Sequence, residues 1–239
     1  MPVRRRLKFR CQGKLEREAR KAGFALVAGA DEAGRGSLFG PVFAAAVILS
    51  PDRPIYGLRD SKTIPAGRRE ELAAEIREKS LACAVASVDA FIIDRINIYN
   101  ASCLAMKRAL EQLEPPPDFV LLDGVRLEIE LPYNRVIHGD ARSQTIAAAS
   151  ILAKTERDEC MREWDRVFPQ YGFARHKGYA TAEHLRALID YGPTMHHRFS
   201  YEPVRAACPR SFWPVWALRE ELQFMWHPGI AQQWKAAEA

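Results

Sequence analysis

The stretch "FALVAGADEAGRGSLFGPVFAAAVIL", residues 24–49, decides the fold. "FALVAGAD" is a short apolar run of strand character. "GRGSLFGP" is a turn punctuated by glycines, and "VFAAAVIL" is a second apolar run returning antiparallel to the first. Asp31 and Glu32 close the first run. Paired carboxylates at the end of a buried strand require a compensating cation, because burying ionised groups alone is costly. Adjacent residues on a regular strand point to opposite faces. The pair therefore cannot chelate one ion symmetrically unless the backbone turns between them, and two ions would relieve the conflict equally well.

Working outward, "PAGRREELAAEIREKS" (65–80) reads as a helix with Pro65 near its start and Leu72 and Ile76 on one face. "LACAVASVD" (81–89) is a third strand. Residues 89–113 read as helix in two pieces broken around Asn97–Asn100, stopped by "EPPP". "DFVLLDG" (118–124) and "NRVIHGD" (134–140) are a fourth and a fifth strand, each ending in an acid. A helix from Ser143 to about Phe168 follows, and its "IAAASILA" is small enough to lie close against a sheet. The loop "YGFARHKGYA" leads to the helix "TAEHLRALIDYG". Three strands thus end in aspartate, and strand ends in such sheets are where ligands bind. The pattern predicts one mixed α/β domain over residues 23–205.

The net charge of +5 is unevenly placed. Residues 1–22 hold nine Lys/Arg against two Glu, a net +7, so the remainder carries −2. A basic arm over 1–22 is either a solvated tail or a phosphate-contacting segment, the latter only if the body does nucleic-acid chemistry. No apolar run is long enough to cross a bilayer, and no secretory signal follows the basic start, which predicts a cytoplasmic protein. The five cysteines are scattered with no CxxC pair, as expected of reduced thiols. Residues 206–239 hold four of the five tryptophans and read as a C-terminal extension packing its aromatics back onto the domain.

The candidate ligands are Asp31, Glu32, Asp123 and Asp140. Two carboxylates about 4 Å apart repel by roughly 4 kcal/mol at an effective dielectric near 20. Such a cluster must protonate or bind cations. Oxygen-only ligands without a Cys or His trio favour Mg²⁺ or Mn²⁺ over zinc. Paired ions of this kind catalyse in-line phosphoryl displacement. Function is thereby narrowed to phosphate or phosphodiester chemistry. A non-catalytic nucleic-acid-binding module is the competing class, but phosphate binding gains nothing from clustered negative charge.

Six segments, in order, resemble bacterial ribonuclease HII: "ADEAGRGSLFGPVFAAAVIL", "GLRDSK", "INIYNAS", "VLLDG", "HGDARSQTIAAASILAK" with "RD" at 157–158, and "YGFARHKGYATAEH" with the later "HHRFSYEPV". The resemblance implies a ribonuclease H-like mixed β-sheet flanked by helices, with a small C-terminal helical region. It implies endonucleolytic cleavage of the RNA strand of RNA–DNA hybrids, including 5′ to a single ribonucleotide embedded in duplex DNA, leaving 3′-hydroxyl and 5′-phosphate ends. By position, Asp31, Glu32, Asp123 and Asp140 are the family's four metal-binding acids, with Mg²⁺ or Mn²⁺ as cofactor. Asp158 is a rival for the fourth place, but it lies inside a predicted helix four residues after Lys154. Gly34, Arg35 and Gly36 would read the 2′-hydroxyl, which alone distinguishes RNA from DNA at a nucleotide. Tyr179 matches the tyrosine that packs on the following deoxyribose, and Lys62, Lys154 and Lys177 are candidate phosphate contacts. The resemblance implies ribonucleotide removal from DNA and a chain expected to act as a monomer. The six histidines, His138, His176, His184, His196, His197 and His227, show no metal-ligand spacing and read as structural or peripheral. The sequence departs from the family pattern at Ser37, Phe39, Thr63, His138 and Ala180, none of them a proposed ligand.

Overall fold

The computed structural model describes residues 11–207. In chain order the main elements are α1 (Lys14–Lys21), β1 (Val27–Ala33), β2 (Val42–Ile48), α2 (Ala66–Lys79), β3 (Ala82–Val88), α3 (Ala90–Glu111), β4 (Phe119–Asp123), β5 (Tyr133–Val136), α4 (Gln144–Val167), α5 (Phe173–His176), α6 (Ala182–Tyr191) and α7 (Glu202–Ala206). The chain divides into two compact units built from discontinuous segments. The first comprises the chain up to Glu32, Ala44–Ala86 and Met106–Thr155; the second comprises Ala33–Phe43, Ser87–Ala105 and the chain from Glu156 onward. Residues 23–205, read from the sequence as one domain, are shared between the two units.

The first unit holds a five-stranded sheet in the order β3-β2-β1-β4-β5. β1 pairs parallel with β4, and β4 parallel with β5. The link from β1 to its neighbour β2, residues 34–41, is shorter than the dozen residues a parallel crossover needs and holds no helix, so these two strands run antiparallel. The Leu81 N–H donates to the Ile48 carbonyl at 2.8 Å, so β3 begins where β2 ends and the sheet is mixed. Val27, Ala28 and Ala30 on β1, and Ala44, Ala45, Ala46 and Val47 on β2, are fully buried. Gly29 explains the small-residue run in α4: a Cβ at this position would fall inside the backbone of Thr145 and Ile146, so the first turn of α4 lies directly on β1.

The predicted elements occur with shifted edges. β1 starts at Val27 and runs on to Ala33, so Asp31 and Glu32 lie within the strand instead of after it. The Asp118 carboxylate accepts from the Ala25 and Leu26 N–H groups at 2.7 and 2.9 Å, which ties down the approach to β1. The break in α3 falls at Asn97, whose left-handed φ of 65° interrupts the helix and whose side chain accepts from the Asn100 N–H at 3.0 Å. β5 stops at Val136, and Asp140 occupies a 3₁₀ turn over Gly139–Ala141 instead of a strand end. His138, with φ of 56°, turns the chain out of the sheet there. The charge break at residue 22 is also no packing boundary. Leu15 and Ala19 of α1 share a hydrophobic cluster with Val27, Phe119, Leu121, Val136 and Ile146.

The second unit is organised by aromatic and imidazole rings. Phe39 stacks on Phe173 at 3.9 Å and meets Trp164 edge-on at 5.6 Å. His176 stacks on His184 at 4.6 Å, and His184 Nε2 lies 3.2 Å from His197 Nε2. Burial lowers all three imidazoles, His184 to about 4. All three rings pack against one another in the interior. The fully buried Asp94 accepts from the Phe199 and Ser200 N–H groups, both at 2.8 Å, and from Ser200 Oγ. Most of the predicted 206–239 extension, with its four tryptophans, lies outside the described residues.

Candidate active site

Sheet register brings the first two acids together. Val27, Ala28, Gly29 and Ala30 pair with Phe119, Val120, Leu121 and Leu122, and the next residue on each strand is Asp31 and Asp123. Neighbouring strands lie about 4.8 Å apart and in-register side chains share a face. Asp31 and Asp123 therefore stand side by side at one end of the sheet. Asp31 is only 6% exposed. Burial, then the charges of Glu32 and Asp123, push its carboxyl well above the usual carboxylate range. Its Oδ1 accepts from the Glu32 N–H at 2.8 Å, and Ser150 hydrogen-bonds to it from α4. The strand continues through both acids without turning. Asp31 and Glu32 thus project to opposite faces, and no backbone turn between them joins them on one ion.

Asp140 reaches the same neighbourhood by a different route. The Gly139 N–H donates to Asp123 Oδ1 at 2.8 Å, which anchors the 3₁₀ turn on the end of β4. Asp140 is buried, and desolvation together with Asp60 and Asp123 raises its carboxyl while Lys62 opposes the shift. The "DSK" segment is thus part of this neighbourhood. Asp60 accepts from the Lys62 N–H at 2.9 Å and caps the 3₁₀ turn Ser61–Thr63. Ser61 Oγ lies 2.9 Å from Ser150 Oγ, which completes a chain Ser61–Ser150–Asp31.

Among the described residues no three Asp, Glu, His or Cys side chains already form a closed cage. The donor set still suits a hard cation. It consists of oxygen ligands, with Asp31 and Asp140 raised by burial and then by neighbouring carboxylates, and one lysine nearby. Mg²⁺ is characteristically held by one or two carboxylates plus substrate phosphates, not by an all-protein cage.

The second unit carries the remaining predicted residues. The Arg35 carbonyl accepts from Arg198 Nη1 at 2.9 Å and from the Tyr201 hydroxyl at 2.5 Å, which fixes the Gly34-Arg35-Gly36 turn. Gly34 has φ of 98°, and a Cβ there would fall inside the Arg157 guanidinium. Arg157 is fully buried, donates from Nη2 to the Lys177 carbonyl at 2.9 Å, and lies 5.3 Å from the Tyr179 ring centroid. Its Nε and Nη1 have no hydrogen-bond partner, and burial lowers it to about 10. Ser37 forms an antiparallel bridge to Tyr179, whose ring is 37% exposed. Lys177 Nζ donates to the Ala174 carbonyl at 2.6 Å, so that ammonium is engaged within its own loop. Lys62 is exposed and Lys154 half-buried. The charge of Asp158 acts on Arg157 and Lys177.

Sequence reasoning missed Ser150, Asp60 and Arg157. Ser150 left a trace as the one polar residue inside "IAAASILA", and Asp60 stands in a quoted motif. Nothing in a lone Arg on a helix announces that it will be buried beneath a glycine.

Solved structures place the fold. The chain matches ribonuclease H2 from Pyrococcus horikoshii with a TM-score of 0.66 at 24% identity, covering 77% of this chain and 97% of that one. It matches the RNase HII of Archaeoglobus fulgidus, solved in complex with PCNA, with a TM-score of 0.62 at 27% identity, covering 72% and 92%. The architecture is the ribonuclease H-like fold, a mixed sheet flanked by helices. Among curated proteins, ribonuclease HII of Solibacter usitatus is 61% identical over 199 residues, 83% of this chain and 87% of the relative. That of Koribacter versatilis is 48% identical over 218 residues, 91% and 83%. The ribonuclease HII family model matches residues 28–204, and the chain belongs to that family of endoribonucleases.

Proposed function

We propose that this enzyme cuts the RNA strand of RNA–DNA hybrids, including the phosphodiester 5′ to a single ribonucleotide embedded in duplex DNA. Asp31, Glu32, Asp123 and Asp140 hold Mg²⁺ or Mn²⁺. The bound ions would supply activation of the attacking water and charge stabilisation at phosphorus. The carboxylates orient the water for in-line attack. Its oxygen forms a bond to phosphorus, and the bond from phosphorus to the 3′ oxygen of the preceding nucleotide breaks. That oxygen takes up a proton as a 3′-hydroxyl, and the ribonucleotide keeps a 5′-phosphate.

The observation that carries this reading is the in-register pair of buried Asp31 and half-buried Asp123 at one sheet end, where the charge of Asp123 acts on the Asp31 carboxyl. The fold tolerates this unfavourable arrangement, and divalent cations relieve it. The Gly34–Gly36 turn supports the sugar-reading role, because glycines allow close backbone approach to a 2′-hydroxyl. The half-exposed Tyr179 ring, 3.7 Å from where a Cβ on Gly36 would stand, supports its role as a sugar-packing surface. Lys62 and Lys154 act as phosphate contacts, and Lys177 contributes through its loop. The cellular task is removal of ribonucleotides from DNA, carried out by a monomer in the cytoplasm. Among the described residues no helix is long and apolar enough to cross a membrane.

The direct test is incubation with a duplex bearing one ribonucleotide, with and without Mg²⁺ or Mn²⁺, mapping the cut to the nucleotide. Cleavage 5′ to the ribonucleotide only when metal is present is expected. Metal-independent cutting, or none, refutes the reading.

A further inference from the structure

Glu16 lies in the segment that composition marks as a basic arm, yet it is 4% exposed. Its Oε1 accepts from Ser143 Oγ at 2.6 Å, from the Thr145 N–H at 2.9 Å and from Thr145 Oγ1 at 3.1 Å. Ser143 Oγ in turn accepts from the Ile146 N–H at 3.1 Å, and the Ser143 N–H donates to the Gly139 carbonyl at 2.8 Å. The Gly139 N–H binds Asp123 Oδ1. Asp140 sits between Gly139 and Ser143. The bonds from Glu16 therefore end on one of the proposed metal ligands and enclose another.

Three further observations seat α1 here. Gly13, with φ of 66°, caps α1, and a Cβ on it would press on Gln144 Oε1 at 2.8 Å. Leu15 and Ala19 pack against Val136 and Ile146, and Ile146 closes over Gly139, where a Cβ would meet its Cδ1 at 2.6 Å. Burial and the carboxylates of Glu16 and Asp140 push the Cys11 thiol up to about 12, which puts residues 11, 16 and 140 in one electrostatic neighbourhood. Capping accounts for only one of the two carboxylate oxygens: Oε1 takes the Thr145 N–H while Ser143 takes the Ile146 N–H, and Oε2 is left buried without a hydrogen-bond partner. Leaving a buried carboxylate oxygen unpartnered costs stability.

We infer that Glu16 is a positioning residue for Asp140 and Asp123, acting through Ser143 and Thr145, so that α1 belongs to the active-site scaffold. The inference rests on the reading of those acids as metal ligands. Outer partners of metal ligands typically contribute 10–100-fold in metal affinity or activity, and small misplacements of reacting groups cost comparable factors.

The experiment uses the full chain and compares Glu16→Ala, Glu16→Gln, Ser143→Ala and, as a stability control, Ile76→Val on the buried face of α2. Each is measured for Mn²⁺ binding by calorimetry, for kcat and KM on the single-ribonucleotide duplex, and for melting. Glu16→Ala is expected to lose about 10–100-fold in Mn²⁺ affinity and in kcat, with KM for the duplex within about twofold. Glu16→Gln, which keeps an acceptor oxygen, recovers most of the loss. Ile76→Val lowers the melting point and neither of the other quantities. If Glu16→Ala does not fold, Ser143→Ala gives the same pattern at about three- to tenfold. Unchanged Mn²⁺ affinity and kcat in the folded variants overturn the inference alone. A lack of Mn²⁺ uptake by the unsubstituted protein overturns the metal reading and the inference with it.

Discussion

Replacing Asp31 with Asn separates the cost of the acid cluster from its use. Asn preserves shape and an acceptor for the Glu32 N–H, but removes the buried charge that Glu32 and Asp123 repel. In-register neighbours on parallel strands stand about 5 Å apart. Two unit charges at that distance repel by about 3 kcal/mol at an effective dielectric of 20, and partial protonation reduces the share that Asn relieves to about 1–2 kcal/mol. For a chain of this length each kcal/mol moves the melting temperature by about 2–4 °C. The metal-free variant should therefore melt about 2–8 °C above the unsubstituted enzyme. Activity should fall by at least about 100-fold, and the rise in melting temperature on adding Mn²⁺ should disappear. The assay is a pair of thermal melts, with chelator and with saturating Mn²⁺, beside single-turnover cleavage of a hybrid. A variant that melts lower without metal and is still stabilised by Mn²⁺ would refute the reasoning, because Asp31 would then be paired in the metal-free fold.

Three other substitutions or deletions follow from the same geometry. Gly29→Ala should destabilise by more than about 3 kcal/mol in denaturant melts, since its Cβ meets α4 backbone and not a movable side chain; a loss under about 1 kcal/mol would show that α4 does not lie on β1 there. The acid limb of stability is governed by opposing groups. His184 is held at about 4, so its contribution is present above the unfolded value near 6.5 and lost as pH falls toward 4; Asp94 is raised by burial to about 6, so its penalty applies above pH 6 and is relieved as pH falls toward 3.8. Asp94→Asn removes the second effect, and its stability should fall between pH 6.5 and 4.5 more steeply than that of the unsubstituted protein, by about 2–3 kcal/mol; parallel pH profiles would count against the burial of Asp94. Removing residues 1–10, which carry five Lys/Arg, should flatten the salt dependence of hybrid binding by up to about four units of log–log slope while leaving α1 in place. An unchanged slope would make the segment a solvated tail.

The fold was legible where sequence patterns are local. Apolar runs gave every strand within a few residues, and Asn97 marked the break in α3. The four acids stood out in the sequence because like charges at element ends demand a shared explanation. Register was hidden, since nothing in "FALVAGAD" says that Asp31 will stand beside Asp123 until β1 and β4 pair. Asp140 was assigned to a strand because "NRVIHGD" is apolar enough to continue. The left-handed turn at His138, which ends β5, depends on an anchor sixteen residues away, the Gly139 N–H bond to Asp123. The basic arm misled in the opposite direction. Its net charge obscured one acid, Glu16, whose burial depends on tertiary contacts with α4 that no charge count registers.

Each unit contains a charge that its own interior leaves poorly compensated. In the first, Asp31 and Asp140 are raised by burial and by neighbouring acids. In the second, Arg157 is buried under Gly34 with two donors unpartnered, and burial lowers it to about 10. An apolar residue of similar volume in place of a buried, unpaired charge is commonly neutral or stabilising, so packing alone does not explain why either persists. The two imbalances have opposite sign: the carboxylates of the first unit are relieved by a cation, and the buried guanidinium of the second by an acceptor for its two unpartnered donors.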